Sequence, residues 1–465
     1  VTTPPERPPF HGQSYGHEPD APYTYGGYGR HAYGGTRTGT PPGSGASGPA
    51  PQPPHAPEAL GRTHPHASVA PHQPPYVRAT FAPEPDTPRP AAPRTRDRYL
   101  DLLRTLALLR VVVYHTFGWA WLTLIFPSMG VMFALAGSLM ARSLKRPAAQ
   151  VLRSRMRRLL LPLWLYGVFV LTALHVQGWR PPKGDTGEQA WFWLRLACWV
   201  VPLGSPSFPW EIGDEGGLLE QSWAVEAAGP LWYLRAYLWF VLLSPLLLRA
   251  FRRLPWATLL APLGLTAVVG TGLVEVPGQT GEALTDFAVY GSCWVLGFAH
   301  HDRFFHARLP RYVVPSVAPL LMGAGLWWAS GHLGPDGWDL NDIPLAQALW
   351  SFGFCALLLQ VSPSWERLPG PLQRFDGAIT LANARAMTLY LWHEAALLAV
   401  VPLLDLAWEI PLIGDSPTLS DGLETTYMFW MFVFVWPLIL LAVLAFGWIE
   451  DLAARRRPRL LPIRS

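Results

Sequence analysis

Residues 98–119 read RYLDLLRTLALLRVVVYHTFGW. The run is about as long as the ~20 residues that a helix needs to cross a ~30 Å hydrocarbon core. It reads as a membrane span, yet it contains Asp101, Arg104, Arg110 and His115. Ionisable groups at that depth are costly and mark candidate functional sites. Arg104 and His115 are eleven positions apart. At about 100° and ~1.5 Å per residue that is three turns plus roughly 20°, so both leave one helix face, about 16 Å apart along the axis. A snorkelling arginine and a core histidine would give the same pattern, so the residues alone leave both readings open. Arg110 is rotated far from that face and is expected to meet another helix.

Outward from this run the same apolar texture repeats. Half of the 465 residues are hydrophobic, 15% are charged and 23 are Trp, which excludes an ordinary soluble enzyme. Further spans are expected at 124–142, 159–178, 229–248, 256–274, 284–299, 313–331, 343–361, 386–408 and 427–449, giving ten with 100–121. The first apolar run begins near Leu100 and is expected to be a retained span that targets the chain to the membrane. Charge orients the set. Arg142, Lys145, Arg146, Arg153, Arg155, Arg157 and Arg158 fill one loop; Arg249, Arg252 and Arg253 fill another; Arg303, Arg308, Arg311, Arg367, Arg374 and Arg385 follow. Glu275, Glu282, Asp336, Asp339, Asp342, Glu409, Asp415, Asp421 and Glu424 occupy the alternate loops. By the positive-inside rule both termini are cytoplasmic, with a basic tail at 451–465. The net charge of +4 belongs to these loop edges and to anionic lipid, not to a nucleic-acid partner.

Residues 1–96 are rich in Pro, Gly, Tyr and His without apolar periodicity. Such a stretch cannot offset chain entropy by burial and is expected to be a disordered cytoplasmic tail, a candidate for recruiting a cytoplasmic partner. Residues 179–228 form the main extracytoplasmic loop, and its apolar segment 191–203 is too short for a span and reads as interfacial or re-entrant. Counting it as an eleventh span would place Arg249, Arg252 and Arg253 outside.

Three further constellations stand out. Arg155 and Arg158 lie one turn apart and suit bidentate contact with phosphate or carboxylate, although positive-inside anchoring would also place them there. His393 and Glu394 are adjacent at membrane depth in RAMTLYLWHEAALLAV, with Asp405 further along. Glu226 and Arg235 offer a structural ion pair. Cys198, Cys293 and Cys355 stand singly in apolar stretches and suggest neither a disulfide framework nor a metal site.

These residues together resemble the membrane-bound acyltransferase family 3, whose members O-acylate glycans and natural products. The resemblance is carried by Arg104 and His115 in D101LLRTLALLRVVVYH; by Gly130, Val131, Phe133 and Gly137; by Arg155 and Arg158 before Pro162; by LWYLRAYL at 231–238; and by LYLWHEAALL at 389–398. Ala136-Gly137 replaces the family's Ser-Gly, and Pro230 stands where a His is common. The match spans about 100 to 450, within a membrane domain read as 97–450.

The resemblance implies acyl transfer from cytoplasmic acyl-CoA, a substrate and not a bound cofactor, to a hydroxyl of a cell-envelope glycan or other carbohydrate-containing acceptor. It assigns catalysis to His115 and Arg104 and coenzyme binding to Arg155 and Arg158, with His393 and Glu394 in support and no metal. The setting it implies is a bacterial plasma membrane. The rival expectation is a transporter or flippase for a glycan or lipid-linked intermediate that uses the same buried charges as a path.

Overall fold

The computed structural model describes residues 97–177, 186–204, 223–334 and 337–461. The expected tail at 1–96 and much of the loop at 179–228 lie outside them. Among the described residues the secondary structure is helical, with one isolated bridge, Gly334 to Gly337, and no strand.

Ten long helices follow the ten apolar runs: α1 Arg98–Phe117, α2 Ser128–Ser143, α3 Ala148–Val176, α4 Leu231–Arg253, α5 Pro255–Gly270, α6 Gly278–His301, α7 Val313–Ser330, α8 Pro344–Val361, α9 Ala386–Asp405 and α10 Tyr427–Phe446. A short α11, Trp448–Ala453, follows α10. Among the described residues seven stretches are helical, long and apolar enough to cross a membrane: Leu122–Ser143, Ala148–Val176, Glu226–Arg253, Val313–Ser330, Pro344–Val361, Ala386–Asp405 and Tyr427–Phe446. The chain is a membrane protein, all-helical among its described residues apart from turns and loops. Helix α5 falls outside the seven at sixteen residues, and α1 and α6 carry ionisable residues along their length, including Asp101, Arg104, Glu282 and Asp286.

Close backbone approach builds the centre. Helices α2 and α6 run side by side in the same direction, Gly130 lying near Cys293, Gly137 against Trp294, and Ser138 beside His300. A Cβ on Gly137 would stand 2.1 Å from the Trp294 carbonyl oxygen, and one on Gly297 would stand 2.2 Å from that of Ala134. With no hydrophobic drive between helices in lipid, such contact through small residues is what holds them. Around it Phe133, Phe240 and Trp294 pack ring on ring.

Helix α1 also runs parallel to the segment that ends in α9. Arg98 pairs with Asp376 and bonds Thr380 at 3.1 Å, Arg104 bonds Asn383 at 3.3 Å, and His115 meets Glu394. Numbers rise together along the two strands of contact.

Two departures from the expected boundaries bear on the site. Helix α3 begins at Ala148, eleven residues before the expected 159, because 151–158 is a run of good helix formers whose Val151 is buried. Arg155 and Arg158 therefore lie on the helix itself. The segment 191–203 lies partly in a helix Thr186–Leu196 that is continued by a single 3₁₀ turn, Ala197–Trp199. Eleven helical residues reach only about 16 Å, half of a hydrocarbon core. This segment rests on α3, where the Trp164 indole N–H donates to the Val200 carbonyl at 2.7 Å and Trp199 lies over Gly167.

Candidate active site

The far end of α1 and the early turns of α9 bring His115, His393 and Glu394 together. His115 Nδ1 lies 2.6 Å from Glu394 Oε1, and the two imidazole rings are 5.1 Å apart. The His115 side chain is 36% exposed, whereas Glu394 is 10% and His393 2% exposed. Of the three, His115 is the open one, with the other two behind it. Donation from Nδ1–H to the carboxylate fixes the tautomer and leaves the Nε2 lone pair available. His393 is held by its own helix: its Nδ1 donates to the Tyr390 carbonyl at 2.6 Å, and its Nε2 lies 3.5 Å from Glu394 Oε1 without forming a hydrogen bond.

Ligand atoms of these three residues lie within 4.8 Å of one another and could take one ion. As they stand, the 2.6 Å contact is a hydrogen bond between two of them. Ligands sharing a tetrahedral zinc at ~2.0–2.1 Å would stand about 3.3 Å apart.

Arginines gather nearer the start of α1. Arg104 is held by Asn383, whose amide N–H groups in turn donate to Asp101 O, Thr105 Oγ1 and Ile379 O at 2.8–2.9 Å. Arg155, Tyr233 and Tyr237 lie within electrostatic range of Arg104, and Arg155 and Tyr237 lie within range of Arg158. Arg155 reaches Ser143 Oγ at 3.1 Å, which fixes it against the end of α2. Tyr237 thus lies within electrostatic range of two of these guanidiniums, Arg104 and Arg158. From there a row of rings leads to the histidines: Tyr237 to Tyr233 at 6.1 Å, Tyr233 to Tyr390 at 4.9 Å, and Tyr390 to His393 at 5.6 Å.

Sequence reasoning missed several of these neighbours. Tyr233, Tyr237 and Tyr390 lie inside the quoted segments 231–238 and 389–398 without being singled out, and Asn383 lies in a helix, Asp376–Ala384, that the apolar pattern does not announce. Asp405, noted beside His393 and Glu394, ends α9 eleven residues beyond Glu394 and is not part of the cluster. Arg110 lies over the Tyr114 ring of its own helix at 4.5 Å, with Tyr290 of α6 and Asp339 in electrostatic range. Arg235, expected to pair with Glu226, pairs with Asp286 at 2.7 Å and Glu282 at 3.4 Å on α6. Glu226 belongs to a separate short helix, Trp223–Ala228, before Pro230.

No curated protein and no solved structure gave a significant match to the chain. A family model described as an acyltransferase domain matches residues 97–449, a stretch that holds both the histidine–glutamate cluster and the arginines. The expectation of an enzyme therefore prevails over that of a transporter, and the chain belongs to acyltransferase family 3, a membrane acyltransferase that transfers groups other than aminoacyl groups.

Proposed function

We propose that this protein moves an acyl group, acetyl or another short chain, from cytoplasmic acyl-CoA to a hydroxyl of a cell-envelope glycan or other carbohydrate-containing acceptor. It does so from a bacterial plasma membrane, through ten spans with both termini in the cytoplasm. The observation that carries this reading is the exposed His115 backed by Glu394, joined by a row of aromatic rings to Arg104, Arg155 and Arg158.

The arginines receive the phosphates of the coenzyme, for which planar guanidinium forks are well suited. The pantetheine and its thioester then extend along Tyr237, Tyr233 and Tyr390 towards His115. His115 Nε2 takes the proton of the acceptor hydroxyl as its oxygen attacks the thioester carbonyl carbon. The carbon–sulfur bond breaks, the imidazolium returns its proton to the departing thiolate, and an ester and free coenzyme A result. Glu394 holds the imidazole in its productive tautomer and stabilises the cation that forms on it, as the carboxylate of a hydrolase triad does. His393, anchored to the Tyr390 carbonyl, packs its ring edge-on against His115 and supports its orientation.

The test is release of coenzyme A from acetyl-CoA by protein in lipid, with a panel of envelope glycans as acceptors. Wild type is expected to release coenzyme A when an acceptor is present. His115→Ala is expected to lose at least 10²-fold in kcat while remaining folded in the membrane. Wild-type turnover by the variant would remove His115 from the mechanism.

A further inference from the structure

The chain after α10 does not trail away. Helix α11 turns back across the arginine end of the molecule and touches both helices that carry the site. On one side the Arg157 Nε–H of α3 donates to the Ala453 carbonyl at 2.7 Å. On the other side Glu450 Oε1 accepts from both the backbone N–H and the hydroxyl of Thr388 at the start of α9, at 2.9 and 2.7 Å. Asp451 pairs at 2.8 Å with the fully buried Arg385, which also donates to the carbonyl of Arg459. Gly447 permits the approach, since a Cβ there would stand 2.8 Å from Arg385 Cδ. Helix α3 carries Arg155 and Arg158, and α9 carries His393 and Glu394. These contacts come from residues 450–459, beyond the matched stretch 97–449.

The end of α11 is the more informative part. The N–H of Arg455 donates to Leu452 O at 2.9 Å and that of Arg456 to Asp451 O at 2.8 Å, the paired closure of a Schellman turn. The residue at the left-handed position of such a turn is usually glycine; here it is Arg455, with φ of 56°. The turn places a non-glycine residue in the left-handed region and reverses the chain just after Ala453, whose carbonyl Arg157 of α3 holds. Arg456, next along, lies within electrostatic range of Arg158, which already has Arg155 and Arg157 beside it. Arg158 thus feels Arg155, Arg456 and Arg157 together, with the Asp451 carboxylate in range of Arg456 alone among them, and an anion placed beside Arg158 relieves the remaining repulsion.

We propose that Arg456 completes the donor site as a phosphate-binding residue for the nucleotide end of acyl-CoA, brought there by the α11 clamp. This inference rests on the acyl-CoA reading above. It predicts that the protein distinguishes donors by their phosphates, and that this selectivity depends on a residue outside the membrane bundle.

The test compares acetyl-CoA with S-acetylpantetheine, which has the same thioester and no phosphate, in wild type, Arg456→Ala and Arg456→Lys. Arg456→Ala should raise KM for acetyl-CoA on the order of tenfold with kcat within about twofold, and leave kcat/KM for S-acetylpantetheine unchanged. Arg456→Lys should recover part of the loss. Equal losses on both donors would reduce Arg456 to a structural role, and no loss on either would remove it from the site. Calorimetric titration of coenzyme A into the same proteins separates the two readings. Absence of binding to wild type overturns the acyl-CoA donor itself, whereas equal binding to wild type and Arg456→Ala overturns only the part given to Arg456.

Discussion

Glu394 and His115 are 279 positions apart in sequence and 2.6 Å apart in the fold. Each was legible alone, because an ionisable residue inside an apolar run stands out and helical periodicity puts Arg104 and His115 on one face. Their pairing was not legible, since no local pattern says which two helices meet. Arg385 is the opposite case: it read as one more cytoplasmic loop charge, and the fold buries it completely against Asp451. A buried arginine is announced only by its distant carboxylate. The dyad makes a prediction at this scale. Glu394→Gln keeps the volume and a hydrogen-bonding side chain but removes the charge that fixes the His115 tautomer, and should lower kcat by about 10²–10⁴-fold with KM for acetyl-CoA little changed. Steady-state kinetics checks it. A kcat within threefold of wild type would mean that the carboxylate merely packs.

At the scale of elements, the apolar runs located ten helices because length and hydropathy are local properties. The sequence reading was weakest where a helix is polar or short. The first three turns of α3 were read as loop because arginines dominate them, and α11 was read as part of a basic tail because six residues carry little periodic signal. Glu450 on α11 lies outside the spans and is accessible to a pH experiment. Burial pushes its carboxyl up to about 7 despite the Thr388 hydrogen bonds and nearby Arg385, which pull it down. The folded protein thus keeps this proton up to about pH 7, whereas the unfolded chain releases it near the ordinary carboxylate value of about 4.3. Between those values the folded state binds more protons, so the contribution to stability is present below about pH 4.3 and is lost as pH rises through about 7. The melting temperature in lipid should fall over that window, and Glu450→Gln should flatten the fall. An unchanged slope in the variant would place the titrating group elsewhere.

The whole molecule poses the question of sense. A helix crossing a membrane reverses the chain, so two parallel spans are separated by an even step in the count. Helix α1 runs parallel to the segment that leads through the helix Asp376–Ala384 into α9, as the contacts 98 to 380, 104 to 383 and 115 to 394 show, and α2 and α6 run parallel through Gly130, Gly137 and Ser138. Both relations fit ten crossings numbered as the ten helices. An extra crossing at 191–203 would make α6 the seventh and α9 the tenth, antiparallel to α2 and α1. The charge of the loops argues the same way, from independent physics. Labelling of single cysteines with a membrane-impermeant maleimide, in a background lacking Cys198, Cys293 and Cys355, tests this. Glu409→Cys and Asp415→Cys should react in intact cells, while Lys145→Cys, Arg308→Cys and Arg457→Cys should react only after lysis. Reaction of Arg308 and Arg457 variants in intact cells with the Lys145 variant protected would mean an eleventh crossing between α3 and α4. Arg158 and Arg456 would then face opposite sides of the membrane, and the donor site could not be shared between α3 and α11.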